Sequence, residues 1–145
     1  IDIYEQYRQS VVAVETVPHE RVNRYGIVGG KKISDTLCIL DTLIEKPAID
    51  EAPSNLAFAG RYILTYEIFK SIEQTKPGKN NEIQLTDAMR DLLNRESIYS
   101  CLIEGKRYDI GNKMDYLKTI VDYGLKREEF STEFLAFLKT KFEED

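Results

Sequence analysis

The run Val11-Val12-Ala13-Val14-Glu15-Thr16-Val17 constrains the fold most. A β-branched stretch this continuous belongs to an interior strand, which other layers of secondary structure must cover. Just ahead of it Ile1, Tyr4 and Tyr7 fall at helical spacing. A helix leading into a buried strand predicts a layered α/β domain.

The remaining chain repeats the two periodicities. Tyr25-Gly26-Ile27-Val28 reads as a short strand, Gly29-Gly30-Lys31-Lys32 as a turn, and residues 37–44 as a second strand closed by Glu45-Lys46-Pro47. Residues 56–64 read as another strand, with Gly60-Arg61 inside it, and 66–74 as a helix. A loop over 76–81, rich in Pro, Gly and Asn, leads into the clearest helix, where Leu85, Ala88, Met89, Leu92 and Leu93 form one apolar stripe. A strand over 98–103 passes through Gly105-Lys106-Arg107 to Tyr108-Asp109-Ile110-Gly111-Asn112-Lys113. Two helices end the chain, over about 112–143. Ser131 is the expected N-cap of the last, with Phe130 and Leu135 as a hydrophobic staple. That helix carries Phe134, Leu135, Phe137, Leu138 and Phe142, an apolar surface that suits an oligomer interface. No repeat or linker divides the 145 residues, so residues 1–145 read as one domain or part of one.

Composition excludes several function classes. With 20 basic and 25 acidic residues the net charge is −5, which argues against a general nucleic-acid surface and an electrostatic membrane anchor. No apolar run approaches a bilayer span, and no signal-peptide layout opens the chain. Cys38 and Cys101 lie far apart in apolar runs, so buried thiols in a reducing compartment, the cytoplasm, are expected rather than a disulfide or metal site. His19 is the single histidine and falls in a polar connection, which leaves no material for a histidine triad. Neither G-x-x-x-x-G-K-[ST] nor G-x-G-x-x-G occurs.

The chemistry left is concentrated at charged breaks in the order. Glu45 and Lys46 sit where side chains leave a sheet, on opposite faces if the strand continues through both. Read blandly, they are a surface ion pair of little worth. Asp109 lies in a Gly-flanked turn, and Gly26 and Gly60 lie in or beside strands, where glycine relieves strain or admits a ligand to the backbone. Carboxylates suit sugar hydroxyls and hard cations, and a lysine suits phosphate. Together they sketch a phosphorylated sugar.

Six segments then bear a resemblance in register. They are Val14-Glu15-Thr16-Val17-Pro18, Arg24-Tyr25-Gly26-Ile27-Val28, Ile44-Glu45-Lys46-Pro47, Ala52-Pro53-Ser54-Asn55-Leu56-Ala57 with Gly60-Arg61-Tyr62-Ile63-Leu64, Asn81-Glu82-Ile83-Gln84-Leu85-Thr86-Asp87-Ala88, and Tyr108-Asp109-Ile110-Gly111-Asn112-Lys113. In this order they resemble the bacterial UTP:glucose-1-phosphate uridylyltransferases, also called UDP-glucose pyrophosphorylases. The resemblance implies a Rossmann-like sugar nucleotidyltransferase fold, a mixed sheet flanked by helices, in which glucose 1-phosphate attacks the α-phosphorus of UTP in line and pyrophosphate leaves. It further implies that Glu45 holds glucose hydroxyls, that Lys46 contacts the phosphates and is the catalytic residue, and that the backbone at Gly26 approaches the sugar. Gly60 and Asn112 are weaker substrate-binding candidates, Asp109 is the implied Mg2+ ligand, and residues 82–88 are given a structural role.

The family's opening G-x-G-T-R stretch and its later metal-binding aspartate have no counterpart here. The resemblance is therefore to the C-terminal, sugar-phosphate-binding half. The N-terminal nucleotide-binding half is the implied partner, with UTP and glucose 1-phosphate as substrates and a homo-oligomer as the assembly. A sheet without those strands is expected to leave unpaired backbone and exposed apolar surface. Alternative readings are a non-catalytic sugar-binding or assembly module, and a thymidylyltransferase.

Overall fold

A computed structural model describes residues 1–78, 81–105 and 107–143. Lys79 and Asn80, within the expected loop over 76–81, and Lys106, within the expected turn at 105–107, lie outside the described residues. The chain divides into two compact units, Ile1–Gly105 and Lys106–Asp145.

The first unit opens with helix α1 (Asp2–Tyr7), which ends where Arg8 turns left-handed at φ 54°. The β-branched run then forms β1 (Ser10–Thr16). After a 3-10 turn at His19–Arg24 come β2 (Gly26–Lys32) and β3 (Leu37–Glu45), and β4 (Leu56–Ile63) follows a second short turn. Helices α2 (Glu67–Gln74) and α3 (Leu85–Leu92) lead to β5 (Ile98–Leu102). The sheet is mixed, since β1 pairs parallel with β5 and antiparallel with β4. It closes in the order β1-β4-β2-β3-β5.

Closure differs from the open edges expected of a sheet short of strands. The reason is the β2–β3 hairpin, which carries β3 onto β5 through Leu37↔Cys101 to Ile39↔Tyr99, while β2 meets β4 only through Ile27↔Ala57 and Val28↔Leu56. Every strand thus has two neighbours, but two of the seams are short.

The hairpin also corrects the expected turn at 29–32. Gly29 and Gly30 are strand residues, and the chain reverses over 33–36, where the Ile33 and Ser34 N–H groups donate to the Leu37 carbonyl and Lys32 meets Asp35 at 2.8 Å. The glycines serve close approach instead. A register shift falls between them, and a Cβ on Gly30 would lie 2.2 Å from the Ile39 carbonyl oxygen.

The core forms where the apolar stripe of α3 (Ala88, Met89, Leu92) meets Val12, Val14, Leu43, Phe58 and Ile98 of the sheet, with Ile68 of α2 beside it. A smaller cluster of Val17, Val22, Ile27 and Ala57 seats the first 3-10 turn. Glu96 ties the lower ends together by accepting from the Ser10 hydroxyl at 2.6 Å and the Thr65 hydroxyl at 2.8 Å. Cys38 and Cys101 are free, and both are partly exposed rather than buried, lying within the short β3–β5 seam. His19 is exposed, in keeping with its polar connection.

The second unit contains α4 (Lys113–Lys126) and α5 (Ser131–Glu143), neither with a buried residue. Ser131 is the first helical residue rather than the expected cap, because the tight turn at 127–130 already presents the Phe130 carbonyl to the Phe134 N–H.

Candidate functional site

β3 is nine residues long and ends on Glu45, which lies opposite Gly26 in the antiparallel register with β2. The register explains the glycine. A Cβ at Gly26 would fall 2.6 Å from the Phe58 ring and 2.9 Å from Glu45 Oε2, so its absence lets carboxylate and ring close over the strand end. The Glu45 side chain is half-buried, and its Oε2 accepts the Thr86 hydroxyl of α3 at 2.9 Å. A partly buried carboxylate needs such a donor.

Lys46 leaves the strand abruptly. Its φ is 47°, a left-handed value that costs a non-glycine residue on the order of 1–2 kcal/mol, and the buried Pro47 after it further restricts the backbone. The Lys46 N–H, donated to the Tyr25 carbonyl at 3.0 Å, holds this turn. The consequence corrects the expectation of opposite faces: the turned backbone brings Nζ to 3.3 Å from Glu45 Oε1 while the lysine side chain stays 55 % exposed. Such an exposed pair is worth only ~0–1 kcal/mol. What it provides is an ammonium and a carboxylate oxygen presented side by side.

Phe58 and Tyr62 of β4 stand next to this pair, with ring centroids 5.8 Å apart. The Tyr62 phenol is raised above its ordinary value, first by burial and then by the negative charge of Glu45. Gly60, between them, is exposed and left-handed at φ 71°, and a Cβ there would meet nothing within 4 Å. It sits at the irregularity where β1 passes from Tyr62 to Phe58 over only Val12 to Val14. The bulge, rather than crowding, requires glycine.

Asp109 and Asn112 belong to the second unit. Asp109 is exposed, and its Oδ1 accepts the Gly111 N–H at 3.2 Å, an Asx-turn. Asn112 is the N-cap of α4, its Oδ1 accepting from the N–H groups of Met114 and Asp115 at 3.0 and 3.1 Å. Among the described residues no group of three or more His, Cys, Asp or Glu could hold a metal ion.

Sequence reasoning therefore singled out Gly26, Glu45 and Lys46, which the fold brings together, but not Thr86, Phe58 or Tyr62. A signal for Thr86 was available. It falls at the edge of the apolar stripe, at the third residue before Met89, so a hydroxyl there is carried into the interior and must find an acceptor.

A family model described as nucleotidyl transferase matches residues 2–124. The chain belongs to the nucleotidyl transferase family. Relatives of this chain include a protein of Streptococcus pyogenes serotype M3 named UTP--glucose-1-phosphate uridylyltransferase 2, 42% identical over 95% of this chain and 46% of the relative. One of Staphylococcus epidermidis, named UTP--glucose-1-phosphate uridylyltransferase, is 40% identical over 96% of this chain and 48% of the relative. A crystal structure described as UDP-glucose pyrophosphorylase complexed with UDP-glucose superposes with a TM-score of 0.83 at 44% identity, covering 87% of this chain and 48% of that one. The mixed α/β fold expected from the resemblance is thus the fold that the chain shares with that structure. The chain spans about half the length of the relatives it matches, as the resemblance implies. Family membership suggests a divalent cation. No helix among the described residues is long and apolar enough to cross a membrane.

Proposed function

We propose that this chain is the sugar-phosphate-binding, C-terminal half of a UTP:glucose-1-phosphate uridylyltransferase. The observation that carries the reading is the Glu45–Lys46 pair, a half-buried carboxylate fixed by a hydroxyl donor beside an exposed ammonium held in a left-handed turn. Strain of this kind persists where the surroundings over-determine it, and it clusters at ligand sites.

In this reading Glu45 accepts hydroxyls of the glucose ring. Lys46 lies against the phosphates, where its charge stabilises the transferring group. Gly26 keeps the sugar close to β2, Gly60 shapes the edge at Tyr62, and Asn112 is a further proposed substrate-binding residue. An anionic phosphate oxygen of the sugar attacks the α-phosphorus of UTP, a new P–O bond forms in line with the one that breaks, and pyrophosphate leaves with the bonding pair. The nucleophile is already an anion, so positioning and charge neutralisation suffice and no histidine base is needed. Magnesium, with Asp109 as one ligand, is the cation proposed. Asp109 is a single carboxylate already engaged in its turn, so the described residues do not complete a cation site. The proposal includes a cytoplasmic location, supported by the free thiols of Cys38 and Cys101, and homo-oligomerisation through the exposed apolar residues of α4 and α5.

The test is release of pyrophosphate from UTP and glucose 1-phosphate by the full-length polypeptide that carries these residues. Glu45→Ala is expected to raise KM for glucose 1-phosphate, and Lys46→Ala to depress kcat, each by about ten- to a hundredfold, the range for losing a charged hydrogen bond. Unchanged kinetics in both variants remove the assignment. Turnover with dTTP in preference to UTP selects the thymidylyltransferase reading, and sugar-phosphate binding without turnover selects the non-catalytic module.

A further inference from the structure

We infer that α3 is the positioning device for the sugar-binding carboxylate, and that Thr86 is the positioning residue which fixes the Glu45 side chain; this rests on the role proposed for Glu45. Two side chains of α3 grip the end of β3. The Thr86 hydroxyl donates to Glu45 Oε2 at 2.9 Å, and Arg90 Nε donates to the Leu43 carbonyl at 3.1 Å. The spacing matches. Residues four apart on a helix rise about 6 Å, and residues two apart on a strand advance about 6.6 Å. One helix turn therefore spans the step from Leu43 to Glu45, the last two residues of β3 that share a face. Asp87 holds the Arg90 guanidinium at 2.9 Å, so the backbone clamp is itself braced.

The two carboxylate oxygens are thereby made unequal. Oε2 faces the interior, between the Thr86 hydroxyl and the space beside Gly26. Oε1 faces Lys46 and the exposed side. A sugar hydroxyl meets an oxygen already aimed at it. The Thr86 side chain is itself buried, at 8 % exposed, so it reaches the sugar only through Glu45. The rotamer of an unheld glutamate would have to be fixed during binding, at a cost in affinity.

The experiment is a double-mutant cycle on the full-length polypeptide, reading KM for glucose 1-phosphate and kcat separately. Thr86→Val keeps the shape and removes the hydroxyl, and is expected to raise KM about tenfold with kcat within about twofold. Thr86→Ser restores the donor and is expected to restore KM. In the Glu45→Ala background, which leaves no oxygen for the residue at 86 to hold, Thr86→Val is expected to add less than about twofold, because its effect passes through the carboxylate. If valine prevents folding, judged by the thermal transition, Thr86→Ala, smaller and also without the hydroxyl, replaces it. A raised KM for Glu45→Ala with an unchanged KM for Thr86→Val overturns this inference alone, as does full additivity of the two. An unchanged KM for Glu45→Ala overturns the site reading and this inference with it.

Discussion

Lys46 combines an unfavourable backbone with an exposed side chain, so the two can be separated by mutation. Glycine adopts φ 47° freely, and Lys46→Gly is expected to raise stability by about 1 kcal/mol while lowering turnover. A urea titration reads the first effect and the pyrophosphate assay the second; a fall in stability would show that the turn is not strained. Gly30 makes the opposite case, since an added Cβ meets backbone 2.2 Å away and cannot be accommodated by a side-chain shift. Gly30→Ala is expected to lose about 1–3 kcal/mol, read from the same titration. Tyr62 gives a pH signature. Burial, and then the charge of Glu45, hold its phenol above the ordinary 10.0, so the folded chain keeps the proton where the unfolded chain releases it. Its contribution to stability is whole below pH 10.0 and is lost as pH rises through the higher folded value. Denaturation midpoints of the parent and Tyr62→Phe are accordingly expected to keep a constant difference up to about pH 10.0, with the parent falling away between there and the higher folded value.

Among the elements, α3 does two things with one length of helix. Its apolar stripe supplies Ala88, Met89 and Leu92, each fully buried, to the core. Its polar edge supplies Thr86 and Arg90 to the end of β3. Leu92→Ala is expected to cost about 2–5 kcal/mol in chemical denaturation, as large-to-small changes in a packed core do. α4 depends on its start instead. Asn112 satisfies two N–H groups that the helix cannot, and Asn112→Ala is expected to cost about 1 kcal/mol, with Asn112→Asp retaining most of it because a carboxylate also suits the helix N-terminus. A loss of sugar-phosphate affinity in Asn112→Ala without loss of stability would favour the substrate contact over the cap.

On the scale of the whole molecule, the two units differ in how completely they bury their apolar residues. The first has a core in which Val12, Ile27, Val28 and Leu92 are wholly inaccessible. In the second, Leu117 is 56%, Phe137 53% and Phe142 82% exposed. Two helices cannot cover this much apolar surface between themselves, so self-association is the proposed use of it. Ending the chain at Phe130 is expected to reduce the assembly size in size-exclusion chromatography, and an unchanged size sinks that proposal.

The sequence by itself determined the elements, because strand and helix are written in periodicities that span only a few neighbouring residues. The Val11–Val17 run and the α3 stripe are local signals, and both elements are where those signals put them. Glu45 and Lys46 were legible as a charged break in an apolar run. Gly29 and Gly30 were misread as a turn because a glycine needed for close approach looks the same in sequence as one needed for reversal, and only the Ile39 carbonyl beside Gly30 distinguishes them. Tertiary structure decided what Glu45 and Lys46 face. The hydroxyl that orients Glu45 lies 41 residues away, and the turn that brings Lys46 onto Glu45 depends on a carbonyl of Tyr25 in the preceding connection. Contacts between distant segments are set by how the layers pack, and no local pattern encodes them.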